Sequence, residues 1–346
     1  MTQSITMASM LRKNGHEVVS VLIGKSQRRV IPAFYFHKIE TSVTTYESPN
    51  FIVDKEQKGV RIFKTIIYNL KRFGIYRKSM QLIHAEIRKH RPDIIVNFYD
   101  LLAGLYFFLY NPRIPHICLG HQFLVFHPQF VFPKNSFFDR LMLRVNTYLS
   151  SLRATKRLAL SFVPMPHLLS KKIFVVPPLL RNEVLHMQPE DKNYILAYIL
   201  NDGYRKEITA WHENNKAQVV HFFSDSRNDI DKEEIHENLY WHKINDVLFL
   251  EYMRNCTAFA STAGFESICE AMYLGKPIMM VPTGGHFEQE CNAIDACKAG
   301  AGITAKTFDL TRLIQYIPSH DREKSKKFRT WAESAEEQFM HYLLLK

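Results

Sequence analysis

Few cysteines, no long apolar run and no low-complexity tract narrow this chain before any motif is read. The cysteines are Cys118, Cys256, Cys269, Cys291 and Cys297. Their number is odd and none forms a C-x-x-C pair, which excludes a disulfide framework and a ribbon-type zinc site. No signal peptide is apparent, because residues 1–16 already read as a polar-faced helix, so a reducing, cytoplasmic setting is expected. In that setting the sequon-like Asn255-Cys256-Thr257 carries no meaning. The longest apolar run, Leu101 to Tyr110, is far short of the roughly 20 residues that span a bilayer. It reads as a buried core helix. Tandem repeats are lacking, as are helix-turn-helix and RNA-binding signatures.

What is present is a globular composition, 46% hydrophobic, over 346 residues. At about 150 residues per domain, two domains are expected. The net charge of +11 is unevenly placed. Residues 1–170 hold 24 Lys and Arg against 9 Asp and Glu, a net +15, and the remainder is net −4. A basic first half points to an anionic partner for that half: phospholipid, a phosphate-bearing acceptor, or nucleic acid.

Short β-branched runs alternate with amphipathic helical patterns. Val18 to Ile23 is the first strand, entered through Asn14-Gly15, where Gly15 suits a left-handed helix cap. A basic helix from about Arg61 to His90 follows. Its Phe63, Ile67, Leu70, Phe73 and Ile75 beside Lys64 to Arg91 suit an anionic membrane face, or an ordinary surface helix. Further strands are expected at Asp93 to Asn97, Ile114 to Leu119, Ala159 to Val163 and Lys172 to Val176. Pro177-Pro178 marks a boundary. A second series then runs through Tyr194 to Leu200, Gln218 to Phe223, Thr257 to Ala260 and Ile278 to Val281. Continuous apolar strands alternating with helices imply parallel sheets covered on both faces. The expected organisation is residues 1–177, residues 178–325, and a helical tail at 326–346.

The chemistry concentrates in Ser261-Thr262-Ala263-Gly264-Phe265 and the helix after it. Small residues at a strand end allow phosphate oxygens to reach backbone N–H groups, and the helix N-terminus adds about half a positive charge. Phe265, Ile268, Cys269 and Met272 form a buried stripe, which leaves Glu270 off it. A carboxylate there can accept two hydrogen bonds from a ribose diol, or it is a plain solvated side chain. Gly275-Lys276-Pro277 ends the helix, and Thr283-Gly284-Gly285 then leads to Glu288 and Gln289, placed to hold sugar hydroxyls.

The pattern S-x-x-G, E-A-x-x-x-G-x-P, V-P and E-Q-x-x-N-A across residues 261–293 resembles the donor site of GT-B glycosyltransferases. It is similar to the lipid-linked N-acetylglucosaminyl transferase of peptidoglycan synthesis and to the UDP-glycosyltransferases. The resemblance implies two doubly wound, Rossmann-like α/β domains facing a cleft. It implies that Glu270 binds ribose, that Ser261 to Phe265 face the diphosphate, that Glu288 and Gln289 contact the donor sugar, and that Ile244 in the loop His242 to Asn245 meets the base. Asn201-Asp202-Gly203 fits a second glycine-bearing loop. The implied reaction is inverting and metal-independent, with a UDP-sugar as co-substrate and no other cofactor. The acceptor is expected at or near the inner face of a membrane.

The family's opening strand and glycine-rich turn, with its histidine, have no counterpart before Met1-Thr2-Gln3. The first strand of the N-terminal sheet is therefore expected to be missing, leaving an unfilled slot and reduced stability or activity. With that histidine absent, His121 in Gly120-His121-Gln122 is the candidate base, or else a structural or acceptor-positioning residue. His116, His121 and His127 lack metal-ligand spacing, and Asp229-Ile230-Asp231 reads as a solvated loop, so no metal is expected. Two other classes compete. Sugar-nucleotide epimerisation on the same fold needs an acid/base set that is not visible. Binding of nucleic acid by a basic, non-enzymatic protein would show as salt-dependent DNA affinity without nucleotide affinity.

Overall fold

The computed structural model describes residues 1–25, 31–49, 67–69, 71–134, 136–199, 203–224 and 231–344. In its N-terminal half, β1 (Val21–Lys25) pairs in parallel with β2 (Val43–Glu47). A separate parallel set joins β3 (Ile95–Asn97), β4 (His116–Gly120), β5 (Lys156–Leu160) and β6 (Ile173–Val176) in that order. Among the described residues no strand pairs with β1 on its side away from β2, or with β3 on its side away from β4. Among the described residues β1 and β2 thus form a set of their own; β1 is only half-buried, whereas every residue of β4, which is paired on both sides, is buried. Helix Thr2–Lys13 packs Met7, Met10 and Leu11 on the layer of Ile94, Val96, Ile117 and Leu119. On the opposite layer Leu22 and Ile95 meet Tyr76, Ile83 and Leu102.

The C-terminal half is a seven-stranded sheet of β7 (Ile195–Tyr198), β8 (Val220–Ser224), β9 (Lys232–His236), β10 (Leu239–Lys243), β11 (Ala258–Ser261), β12 (Ile278–Met280) and β13 (Gly302–Thr304). Its order is β13-β12-β11-β7-β8-β10-β9. All pairs are parallel except the charged, exposed edge strand β9. Strands buried on both faces need apolar residues throughout, and Leu196, Ala197, Phe259 and Ala260 are fully buried. The strand order reverses at β7, between β8 and β11, the place where open α/β sheets bind ligands beyond the carboxyl ends of their strands.

The segment after Pro177-Pro178 runs from the N-terminal sheet to the C-terminal one with a device that periodicity does not reveal. Consecutive residues serve opposite cores: Leu179 packs in the N-terminal core and Leu180 in the C-terminal one. The helical tail expected at 326–346 is instead built into both halves. Helix Arg322–Glu333 packs Phe328 and Ala332 into the C-terminal core, while Ala335, Phe339 and Leu343 of helix Ala335–Leu344 lie on β4, β5 and β6. Two further expectations shift. β5 begins at Lys156 rather than Ala159, because its charged first residues spend their ends on backbone carbonyls, Lys156 on Tyr342 and Arg157 on Lys171. Helix Leu101–Tyr110 buries Leu102, Tyr106 and Phe107 but exposes Phe108 and Leu109, so it is a core helix on one side only. Of the basic helix, Phe73–His90 is described, and Ile67, Phe73 and Ile75 are exposed on it or beside it. Phe63, Lys64, Leu70, Asn201, Asp202, Asp229 and Ile230 lie outside the described residues. No helix among the described residues is long and apolar enough to cross a membrane.

Candidate functional site

The turn after β11 sits at the reversal of strand order. Ser261 and Thr262 are buried, Ala263 takes a left-handed conformation (φ 58°), and Gly264 leads extended (φ −72°) into helix Phe265–Tyr273. Asn292 Nδ2 donates to Ala263 O at 3.3 Å, and Val281 N donates to Ser261 O at 2.8 Å. These bonds hold the turn from two neighbouring elements. The helix has no side-chain cap, so its first-turn N–H groups remain available to an anion. Its first-turn carboxylate, Glu266, accepts from Thr2 Oγ1 at the start of the N-terminal half. The turn therefore faces the boundary between the halves.

Glu270 does not stand on an open helix face. Ile268 to Tyr273 are all buried, because the segment joining the halves covers the side left polar by the stripe. Arg181, from that segment, donates from Nε to Glu270 Oε1 and from Nη2 to Oε2, each at 2.6 Å. Burial raises the Glu270 carboxyl and the guanidinium draws it back. Burial also works against the charge on Arg181, but Glu270 outweighs it and lifts that group above its usual value. The fork-on-fork geometry is that of an ionised pair. A carboxylate has about four acceptor positions, so two remain beyond those that Arg181 takes.

His121 follows β4 and lies against the C-terminal half. Its Nδ1–H donates to Leu160 O at 2.8 Å, and its ring stacks on Phe265 at 4.3 Å between centroids. Nε2 therefore carries the lone pair in the neutral ring. It points at Asp295 Oδ2, 3.6 Å away, and both atoms are buried without a hydrogen-bond partner. Burial lowers His121 and Asp295 opposes that shift; burial raises Asp295 and His121 opposes that one. Beside them Gln122 Nε2 donates to Glu288 Oε1 at 2.8 Å, a second polar tie across the boundary.

Gln289 is turned inward. Its Oε1 accepts from Thr283 N at 2.8 Å and fixes the loop after β12. Ile244 is exposed at the end of β10, on the same side of the sheet as the Ser261–Gly264 turn. Asn245 next to it caps helix Asp246–Asn255. The structure thus gathers Ser261 to Phe265, His121, Glu288 and Ile244 at the carboxyl ends of the strands, with Glu270 within the helix that the turn opens. His116 belongs elsewhere: it stacks on Phe107 at 3.8 Å inside the N-terminal half. Among the described residues no three His, Cys, Asp or Glu side chains cluster as a metal site.

Sequence reading missed Arg181, Gln122, Asn292 and Asp295 as site residues. Asp295 had a usable signal, since it lies seven residues after Glu288 and so on the same helix face. Arg181 had none, because it sits in a joining segment without periodicity.

The family model described as glycosyl transferase family 1 matches residues 2–318. No curated protein matches the chain. Among solved structures, it is similar to the glycotransferase of kitacinnamycin, with TM-score 0.64 and 14% identity over 98% of this chain and 94% of that one. It is also similar to the glycosyltransferase SnogD from Streptomyces nogalater, with TM-score 0.59 and 15% identity over 99% and 95%. A third is the Arabidopsis thaliana protein UGT89C1 complexed with UDP, with TM-score 0.59 and 15% identity over 99% and 95%. At these identities the likeness establishes the fold, the two facing α/β halves of the GT-B type. Neither epimerisation nor nucleic-acid binding gains support from them.

Proposed function

The chain belongs to glycosyl transferase family 1, and from that premise we propose that it moves a sugar from a nucleotide donor, UDP-linked, to an acceptor hydroxyl with inversion. The observation that carries this reading is the uncapped helix behind the Ser261–Gly264 turn, at the reversal of strand order and facing the other half. The diphosphate lies on the turn and the first N–H groups of the helix, which stabilise the negative charge of the departing nucleotide without a metal ion. The ribose hydroxyls take the free acceptor positions of Glu270. The base lies against the Ile244 backbone, and the donor sugar lies near Glu288 and Gln289.

His121 is the base. With Nδ1–H committed to Leu160 O, its Nε2 lone pair is the group that takes the acceptor's proton. The acceptor oxygen then bonds to the anomeric carbon as the bond from that carbon to the phosphate oxygen breaks, and Asp295 stabilises the imidazolium. His121 is buried against Phe265, so the acceptor enters by displacing that ring. The acceptor is presented at an anionic membrane face, a reading supported by exposed Ile67, Phe73 and Ile75 on the basic side of the N-terminal half. Co-sedimentation with anionic but not zwitterionic vesicles checks that part.

The donor reading is tested by thermal stabilisation with UDP-, GDP-, dTDP- and CMP-sugars. A ligand at 100 times its Kd adds about 2.7 kcal/mol. UDP-sugars are expected to shift the melting temperature and Gly264→Ala to remove the shift. No response to any nucleotide would overturn the reading.

A further inference from the structure

Away from the donor turn, the N-terminal half holds a second recess, of about 520 Å³. Its walls are Phe126, Phe130, Phe132 and Leu168, and its charged groups are Arg140, Arg144 and Lys171. No carboxylate lines it, and among the described residues no ion pair joins these three cations to one. Both guanidinium groups lie over the Phe132 ring, at 4.6 and 5.2 Å from its centre. Arg140 Nε is buried and has no hydrogen-bond partner. A buried donor without an acceptor is costly, and Arg144 and Lys171 have backbone carbonyls, Val125 O and Phe126 O, as partners rather than a counter-charge. An anion in the recess gives Arg140 an acceptor and all three cations a counter-charge.

The recess is tied to the reaction centre through its walls. Phe130 packs edge-on against the His121 ring at 6.0 Å, and Phe132 lies parallel to Phe287, at the start of the helix that carries Glu288 and Asp295. The helix that carries Arg140 and Arg144 also presents exposed apolar side chains, Phe137, Leu141, Val145 and Tyr148.

We propose that this recess is a binding site for an anion carried on an apolar body, with the phosphate or carboxylate on Arg140, Arg144 and Lys171 and the body against the phenylalanines. That its occupant is the acceptor rests on the transfer reading above; that it binds such an anion does not. The chemistry is shared by soluble aryl phosphates and by the head groups of single-chain lipids. The exposed apolar residues of that helix separate the two sources, since a long chain that runs along the helix meets Phe137 and Leu141 and a phenyl group held in the recess does not.

The test is isothermal titration of the whole chain with phenyl phosphate, octyl phosphate, neutral benzyl alcohol and, separately, UDP. Both phosphates are expected to bind and benzyl alcohol to bind at least tenfold more weakly. Arg140→Gln with Arg144→Gln is expected to weaken both phosphates at least tenfold and to leave UDP within threefold; Arg144→Gln alone, at an exposed position, serves if the double variant does not fold. Gly264→Ala is expected to do the reverse. Phe137→Ser with Leu141→Ser weakens octyl phosphate alone if the occupant is lipid-like, and neither ligand if it is a soluble aryl compound. Phosphate binding unchanged in the arginine variants, displaced competitively by UDP, or matched by benzyl alcohol would each overturn the proposal. Loss of UDP binding to the unaltered chain, with phosphate binding intact, would sink the donor reading and leave this one standing.

Discussion

Arg181 holds Glu270 through both carboxylate oxygens, so the segment that joins the halves is clamped to the helix that opens at the donor turn. The pair is nearly shut off from solvent, with side-chain exposures of 12% and 5%. Removing one member of such a pair leaves an uncompensated buried charge and costs about 3–5 kcal/mol. Arg181→Ala and Glu270→Ala are each expected to lower stability by about that amount, and the double variant by clearly less than the sum. Denaturant melts in a double-mutant cycle check this. Additive losses would mean that the two side chains act independently. UDP added to the double variant separates the roles: a thermal shift that persists assigns Glu270 to the hinge alone, and a lost shift assigns it to the ribose as well.

At Gly264 the fold itself asks for no glycine. Its φ of −72° suits any residue, and a Cβ there would come no nearer than 3.7 Å to Ser267 Oγ. Gly264→Ala is therefore expected to keep stability within about 0.5 kcal/mol, as for an unstrained site outside the core. It is nevertheless expected to weaken UDP by at least tenfold, because the added methyl crowds the diphosphate path. Equal nucleotide affinity in the variant would remove the turn from the donor site. The strained position is the neighbour, Ala263, and Ala263→Gly is expected to change stability by less than about 1 kcal/mol, because relief of the left-handed strain is offset by loss of a fully buried methyl and by added freedom in the unfolded chain.

How far these residues were readable in the sequence depended on whether local pattern decided their position. The Phe265 helix, its capping turn and the parallel strands around it follow from small residues, apolar runs and Gly275, whose φ of 70° ends the helix. The partner of Glu270 did not follow, since the residue covering a helix face is set by tertiary packing about 90 positions away. For the same reason the sequence did not show that the side-chain carbonyl of Gln289 accepts from Thr283 N. His121 was legible as a residue at a strand end. Its opposition to Asp295 required knowing which face of the Phe287–Ala299 helix meets the other half.

Histidines held below their usual range by burial contribute to the response to acid, and His116, His221 and His242 are prominent among them. Burial lowers His116 to about 4, His221 to about 3 and His242 to about 4, and His221 Nδ1 lies 2.9 Å from His242 Nε2. In the unfolded chain a histidine titrates near 6.5, so as pH falls below that value the unfolded state binds protons that the folded state refuses. Stability is expected to be flat above about pH 7 and to decline from about pH 6.5 towards 4. His221→Gln with His242→Gln should reduce the slope of melting temperature against pH in that window. A profile as steep as that of the unaltered chain would show that the pair does not control it.

His121 Nε2 and Asp295 Oδ2 face each other as two buried atoms without partners, a poor arrangement for stability alone. An amide at position 295 has nearly the same shape as the carboxylate and donates a hydrogen. Asp295→Asn is thus expected to satisfy the His121 lone pair and to raise stability by about 1–3 kcal/mol, the cost of leaving a buried polar group unpaired. The same bond blocks the lone pair assigned to the acceptor proton in the proposed transfer, so kcat is expected to fall by about 10²–10⁴-fold, the range for loss of a general base. His121→Gln should lower kcat similarly and leave UDP affinity within threefold, because the Ser261–Gly264 backbone is held by Asn292 and Val281 rather than by His121. These opposite signs discriminate between roles. A His121–Asp295 contact kept for stability gives a lower melting temperature in Asp295→Asn and an unchanged kcat; one kept for proton transfer gives a higher melting temperature and a slower enzyme.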